Sequence, residues 1–298
     1  MKRIVIPYIV LCLVTVAAFA DYSAVYIAGT VEYESAGRWR AVRIGDTVPA
    51  GATIRLTEGS AAEIVGAGST LRLSRAGVYE LAELAASTQR TRAINIDTMI
   101  GSRVRRLSTA DTDRGTPTVG GVRASEAVTG PETIWVGGES PEDLIEEGIE
   151  LLELGWIDDA FFVFEEAFDY ATGSTRDKAQ FLLGYTAAMI DDVFGAIDLL
   201  ASPEPDRSTE YFDEHSILLA RLYVETFAFT DAEGVLKTYI AANPTDTDAR
   251  QTAQLLLGVA YRNAGRIDSA RTAFFDTIGV DPGSELADAA RELIAEMP

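Results

Sequence analysis

The chain of 298 residues contains one cysteine and one histidine, Cys12 and His215. Thiol catalysis, structural zinc and histidine-based triads all need such side chains in combination, so little material exists for any of them. Cations are also scarce. The 25 Lys and Arg stand against 46 Asp and Glu, a formal net charge of -21. A general grip on a phosphate backbone needs clustered Lys and Arg, so nucleic acid is not an expected partner. Hydrophobic residues make up 47% of the chain and charged ones 24%, which fits a folded protein rather than a wholly disordered one. At roughly 100 to 200 residues per domain the length accommodates two domains.

Lys2 and Arg3 precede an apolar run from Ile4 to Ala18 that closes on Ala18-Phe19-Ala20. This pattern reads as a secretory signal, residues 1–20, cleaved after Ala20. A retained anchor is the alternative, although the run falls short of the roughly 20 residues that a spanning helix wants. Cys12 lies inside the apolar run behind Leu11, not at its end, unlike a lipidation site. With Cys12 removed, the mature chain has no disulfide and depends on packing at a periplasmic or secreted address.

The remaining chain divides by charge. Residues 21 to 138 have 13 acids and 13 Arg, whereas residues 139 to 298 have 33 acids and 10 bases. The periodicity changes too, from short alternating runs to helical spacing. At the boundary, Ser140-Pro141-Glu142-Asp143 combines an N-cap serine, a first-position proline and an acid placed for a reciprocal cap. A helix is therefore expected to start there, after a linker over 127–139.

Gly148, Gly184, Ala220 and Gly258 recur at intervals of 36, 36 and 38 residues, a period of stacked helix pairs. The last unit has the fullest pattern, with Leu257-Gly258, Tyr261, Gly265, Ala270, Phe274 and Pro282. Gly148, Gly155, Ala160, Phe164 and Ala167 repeat it in the first unit, and Ala220, Tyr223, Ala232 and Pro244 in the third. The second keeps Leu183-Gly184 and Ala196, but has Ala187 at the aromatic position. Small residues let antiparallel helices approach, an aromatic fills the gap between them, and proline ends the second helix. This half resembles the tetratricopeptide repeat family, read as four units over 140–283 and a capping helix over 284–298.

That resemblance implies a concave groove lined by the first helices of successive pairs and suited to a protein or peptide partner. The family's groove positions fall on Ile145, Ile149 and Leu152, then Lys178, Phe181, Tyr185 and Met189, then Ile217 and Arg221, and finally Leu255, Val259 and Arg262. Lys178, Arg221 and Arg262 could orient a carboxylate, or be helix-surface charges paired with acids on neighbouring turns.

Short strands are expected at Val25 to Glu34, Arg38 to Arg43, Thr53 to Leu56, Ala62 to Val65, Thr70 to Leu73 and Val78 to Leu81, punctuated by glycines. Gly29-Thr30-Val31, Ile44-Gly45-Asp46-Thr47-Val48, Ala50-Gly51-Ala52-Thr53-Ile54 and Gly59-Ser60-Ala61-Ala62-Glu63-Ile64 are similar to the FecR-type extracytoplasmic β domain. Thr116 to Glu126 resembles that family's closing strand, giving a module over 22–126. Within it, about 84–107 reads as an amphipathic helix with Arg92, Arg103, Arg105 and Arg106 around an Ile96, Ile100, Val104 and Leu107 stripe. The resemblance implies a binding or spacing module; the cytoplasmic segment and membrane helix of sigma-regulating members are not seen in this sequence.

No catalytic residue, metal ligand or cofactor is expected. His215 reads as a capping or surface residue. Asp191-Asp192 and Asp111-x-Asp113 lack the glycine and distal glutamate of a calcium loop. Gly66-Ala67-Gly68-Ser69 reads as a hairpin turn, and Trp39, Trp135 and Trp156 as packing residues that could also stack on sugars. The expected fold class is α+β with two domains: a small all-β FecR-like module with an associated helix, then an all-α superhelical solenoid. The expected function is a non-enzymatic envelope adaptor holding a partner polypeptide. The alternative is a cell-wall glycan binder in which the β module recognises the ligand and the repeats act as a spacer.

Overall fold

The computed structural model describes residues 21–66, 69–91 and 140–298. The signal, most of the 84–107 helix, the closing-strand motif, the 127–139 linker, Trp135 and the Asp111-x-Asp113 pair lie outside the described residues. The described chain separates into a β-rich unit and a helical unit.

The β-rich unit has eight strands: β1 (Tyr22–Ala28), β2 (Val31–Ser35), β3 (Arg38–Ala41), β4 (Thr47–Val48), β5 (Thr53–Leu56), β6 (Ala61–Gly66), β7 (Ser69–Leu73) and β8 (Gly77–Glu80). They form two four-stranded sheets of order β4-β1-β6-β7 and β3-β2-β5-β8. Alternation in β5 and β6 buries Ile54, Leu56, Ala62 and Ile64 and turns the intervening side chains outward.

The expected single strand over Val25 to Glu34 is two strands in different sheets. The chain breaks at Gly29, whose φ of +70° is open to glycine, and a Cβ there would lie 2.5 Å from Ser60 Oγ. Ser60 Oγ in turn accepts the Thr30 amide at 2.9 Å. The two-residue strand β4 was not expected; Thr47 and Val48 are nonetheless paired with Ser23 and Tyr22. Helix α1 (Leu81–Thr91) begins directly after β8 with Leu81 and Leu84 buried, slightly before the expected start.

The helical unit comprises α2 (Pro141–Leu154), α3 (Ile157–Tyr170), α4 (Gly173–Met189), α5 (Val193–Leu200), α6 (Phe212–Glu225), α7 (Phe229–Ala241), α8 (Thr247–Asn263), α9 (Ile267–Val280) and α10 (Glu285–Ala295). Ser140 caps α2 as its sequence predicts. Its hydroxyl accepts the Asp143 amide at 3.1 Å, while the Asp143 carboxylate accepts the Ser140 amide at 3.1 Å. Gly155, at φ +80°, ends the helix with its amide turned back to Leu152. Ser284 caps α10 through the Ala287 amide.

Each helix packs against its successor, and α2 also touches α4, α6 touches α8, and α8 touches α10. One hydrophobic cluster runs from Leu144 to Leu293. The second pair departs from the uniform repeat. Its second helix, α5, has only 8 residues, and Pro203 and Pro205 follow, which cannot donate to a continued helical ladder. Its terminal carbonyls are taken up by side chains instead: Gln180 Nε2 donates to Leu199 and Ser202 oxygens at 2.6 and 2.8 Å. His215 Nε2 lies 2.9 Å from the Leu200 oxygen.

Candidate partner-binding site

The repeat register is realised as direct helix-to-helix contact. A Cβ on Gly148 of α2 would sit 2.4 Å from Phe164 Cε1 of α3, and one on Gly258 of α8 would sit 2.4 Å from Phe274 Cε1 of α9. Between α4 and α5, a Cβ on Gly184 would meet Leu200 Cγ at 2.8 Å. In each case the larger side chain lies sixteen residues after the glycine. Ala220 and Leu236 repeat that spacing in α6 and α7, and both are buried. The small residue allows the backbones to approach, and the ring or branched side chain fills the recess so created.

The groove positions inferred from the family separate into two sets. Ile145, Phe181, Tyr185, Ile217, Leu255 and Val259 are buried and belong to the core cluster. Phe181 stacks on Tyr211 with ring centroids 4.8 Å apart. These six side chains therefore fill the interior and do not present a free lining. The reason is that a first helix is covered both by its own partner and by the next pair, so its apolar stripe is consumed by packing. Ile149 and Leu152 are half-buried against the cluster, and Met189 is exposed.

All three groove cations have carboxylate partners. Lys178 Nζ is 2.9 Å from Glu210, Arg221 is 3.0 Å from Glu225 one turn on, and Arg262 is 3.6 Å from Glu296. Only the Arg221–Glu225 pair joins neighbouring turns of one helix; the acids beside Lys178 and Arg262 stand 32 and 34 residues further along the chain, so the neighbouring-turn reading holds for Arg221 alone.

His215 is buried, which corrects its reading as a surface residue. Its contact to the Leu200 carbonyl requires Nε2 to bear the proton and donate, so it does act as a cap on α5. Burial pushes its pKa down to about 4, against which the bond to Leu200 acts in the opposite direction. The ring is consequently neutral at pH 7.

A contact that the sequence did not disclose joins the third and fourth pairs. Glu233 of α7 accepts from Arg266, from Lys237 and from the Tyr261 hydroxyl, the last at 3.1 Å. The Arg266 guanidinium also stands 4.3 Å from the Tyr261 ring centroid. Hydrogen bonds from Arg266 and then Lys237 hold the Glu233 carboxyl down at about 2. Only the acid-to-base spacing from Glu233 to Lys237 was a sequence signal; the partners 28 and 33 residues away were not. Gln251 was likewise missed, and its amide donates to the Thr277 and Asp281 oxygens at the end of α9.

In the β-rich unit, Trp39 lies under the Arg55 guanidinium, 4.2 Å from its centroid, and Arg55 pairs with Glu32 at 2.7 Å. One face of that ring is already occupied. Asp192 caps α5 through the Gly195 amide, and Asp191 occupies a positive-φ turn. The strands β6 and β7 flanking Ala67 and Gly68 are sheet neighbours, while those two residues lie outside the described residues. Among the described residues, no cluster of three or more His, Cys, Asp and Glu is arranged to hold a metal ion. No helix of those residues is long and apolar enough to cross a membrane.

No family model matches the chain, and no curated protein matches it. Among solved structures, the chain is similar to the MamA protein, at 22% identity and a TM-score of 0.42 over 48% of this chain and 73% of that one. It is also similar to a tetratricopeptide repeat protein from Parabacteroides merdae, at 19% identity and a TM-score of 0.46, covering 53% of this chain and 59% of that one. A thermophilic tetratricopeptide repeat protein in Thermus thermophilus shows 20% identity and a TM-score of 0.40 over 52% and 82% of the two chains.

Proposed function

We propose that this chain is a non-catalytic adaptor of the cell envelope, in which a tetratricopeptide-type helical array holds a partner polypeptide. In this reading the β-rich unit is a FecR-type module that positions the array outside the cytoplasm. The carrying observation is the contact of a small residue with a bulky one sixteen positions later, repeated from Gly148–Phe164 to Gly258–Phe274. An array stabilised by such nearest-neighbour contacts presents an extended surface, the usual basis of polypeptide recognition by repeats. Ile149, Leu152, Lys178, Met189, Arg221 and Arg262 are the parts of the inferred groove that retain some exposure, and they are the residues through which this adaptor meets its partner.

The test is photocrosslinking in cells, with probes replacing Ile149 and Lys178 and a control at the exposed Arg291. Capture of one defined protein from both groove positions, and not from Arg291, is the expected result. Absence of any protein adduct, together with retention of the protein on purified cell-wall sacculi, would replace this function by glycan binding.

A further inference from the structure

The first helix pair differs from the others in what it leaves in water. Between 140 and 170 the chain has eleven acids and no Lys or Arg. From Trp156, the N-cap of α3, Asp159, Phe162, Glu165 and Asp169 follow at three- and four-residue steps in a ridge that winds part-way round the helix, with Phe162 amid its carboxylates and Trp156 at its leading edge. All five are exposed, with Phe162 at 64% and Trp156 at 56%. Phe162 is ringed by the four residues three and four positions away, Asp158, Asp159, Glu165 and Glu166, and every one is a carboxylate. Among the described residues, Asp158, Asp159, Glu165, Glu166 and Asp169 have no cationic partner. The contrast with the third pair is direct, because Glu233 there is held by Arg266 and Lys237.

We infer that the outer ridge of α3 is a docking surface for a cationic amphipathic helix of a partner polypeptide. This rests on the reading of the helical half as a partner-binding array and assigns it a second face, separate from the groove. Two aromatic side chains six residues apart lie about 9 Å apart along the helix axis and about 120° apart around it, so Phe162 is the central apolar anchor for a partner helix and Trp156 borders its edge. The carboxylates between and beside them match Lys or Arg flanking the apolar stripe of that helix. Charge excludes the other simple occupants. Anionic lipid and nucleic acid are repelled, and a second copy of the chain docked symmetrically would set the same carboxylates against each other.

Trp156 supplies the readout. In the full chain with Trp39→Phe and Trp135→Phe, it is the one remaining tryptophan, and its emission is followed at physiological salt. The probe is a Leu/Lys peptide patterned for an amphipathic helix; the control peptide has the same composition scrambled so that no apolar face forms. The expected result is a blue shift of Trp156 with the patterned peptide, at an affinity about tenfold or more above the scrambled one. Phe162→Ser should weaken binding about tenfold with unchanged circular dichroism, while Phe275→Ser, at an exposed aromatic elsewhere, should not. Equal binding of the two peptides, or indifference to Phe162→Ser, overturns the assignment. So does a Trp156 shift driven by protein concentration alone, which would make a second copy the occupant. A red shift on replacing Arg92, Arg103, Arg105 and Arg106 by Ser would make the chain's own segment the occupant and overturn it equally. Crosslinking from Ile149 and Lys178 is independent of these results, so the ridge can fail while the adaptor function stands.

Discussion

Replacing Gly258 by alanine adds a single methyl group to one of the two tightest glycine contacts between helices, and two effects oppose each other. Alanine favours a helix interior over glycine by about 1 kcal/mol. Against this, the new Cβ would lie 2.4, 2.5 and 3.0 Å from three atoms of the Phe274 ring. That ring has no exposed surface, so it cannot swing into solvent, and overpacking of a filled core costs about 1–3 kcal/mol. With the overlap this deep the upper part of that range applies, leaving a net loss of about 1–2 kcal/mol. For a cooperative unit of this size that corresponds to roughly 3–6 °C in Tm. The protein itself indicates the remedy, since the third pair uses Ala220 with Leu236 at the same spacing. Phe274→Leu alone should lose about 1–2 kcal/mol through the void it leaves. The double variant should then be at least about 1 kcal/mol more stable than the sum of the two single losses. Urea unfolding followed by far-ultraviolet circular dichroism on the four proteins measures this cycle. Strict additivity, or a Gly258→Ala variant as stable as the parent, would refute the packing argument.

Two further outcomes concern acid. His215 has a folded pKa of about 4 against an unfolded value near 6.5, so the unfolded chain takes up the proton first. Its contribution is full above pH 6.5 and is lost as pH falls towards 4, by about 3 kcal/mol in total; His215→Gln keeps an N–H donor for Leu200 and should flatten thermal stability over that window, whereas an unchanged pH slope would count against the buried neutral ring. Glu233, held at about 2, contributes stability that is present above its unfolded value of 4.5 and lost as pH falls towards 2. Because its partners face water, Glu233→Ala should lower stability at pH 7 by only about 1 kcal/mol, accompanied by faster amide exchange at the start of α9; equal exchange in both proteins would remove its role as a tie between the last two pairs.

Much of the helical half was legible because its signals are local. The cap at Ser140 involves residues three apart, and the small-to-bulky spacing of sixteen is set by the length of one helix and a turn, so both recur wherever the same hairpin is built. The acidity of the first pair was equally open to counting. The β-rich half was less so. Its strands were found where alternation is clear, but the change of sheet at Gly29 depends on how closely Ser60 approaches it, 31 residues later.

The candidate site shows the same limit more sharply. Helical periodicity alone determined that α4, α6 and α8 have apolar stripes, and their family resemblance suggested a lining. Only tertiary packing decided that Phe181, Ile217, Leu255 and Val259 are covered by neighbouring pairs while Phe162 and Trp156 are left in water. A stripe specifies that a face must be buried, not which neighbour buries it, because the hydrophobic effect is non-directional. The same holds for charge. Counting shows an excess of acids over the whole half, but the placement of cations beside Glu210, Glu225, Glu233 and Glu296, with none among the described residues paired to the carboxylates of the α3 ridge, is a property of the folded chain.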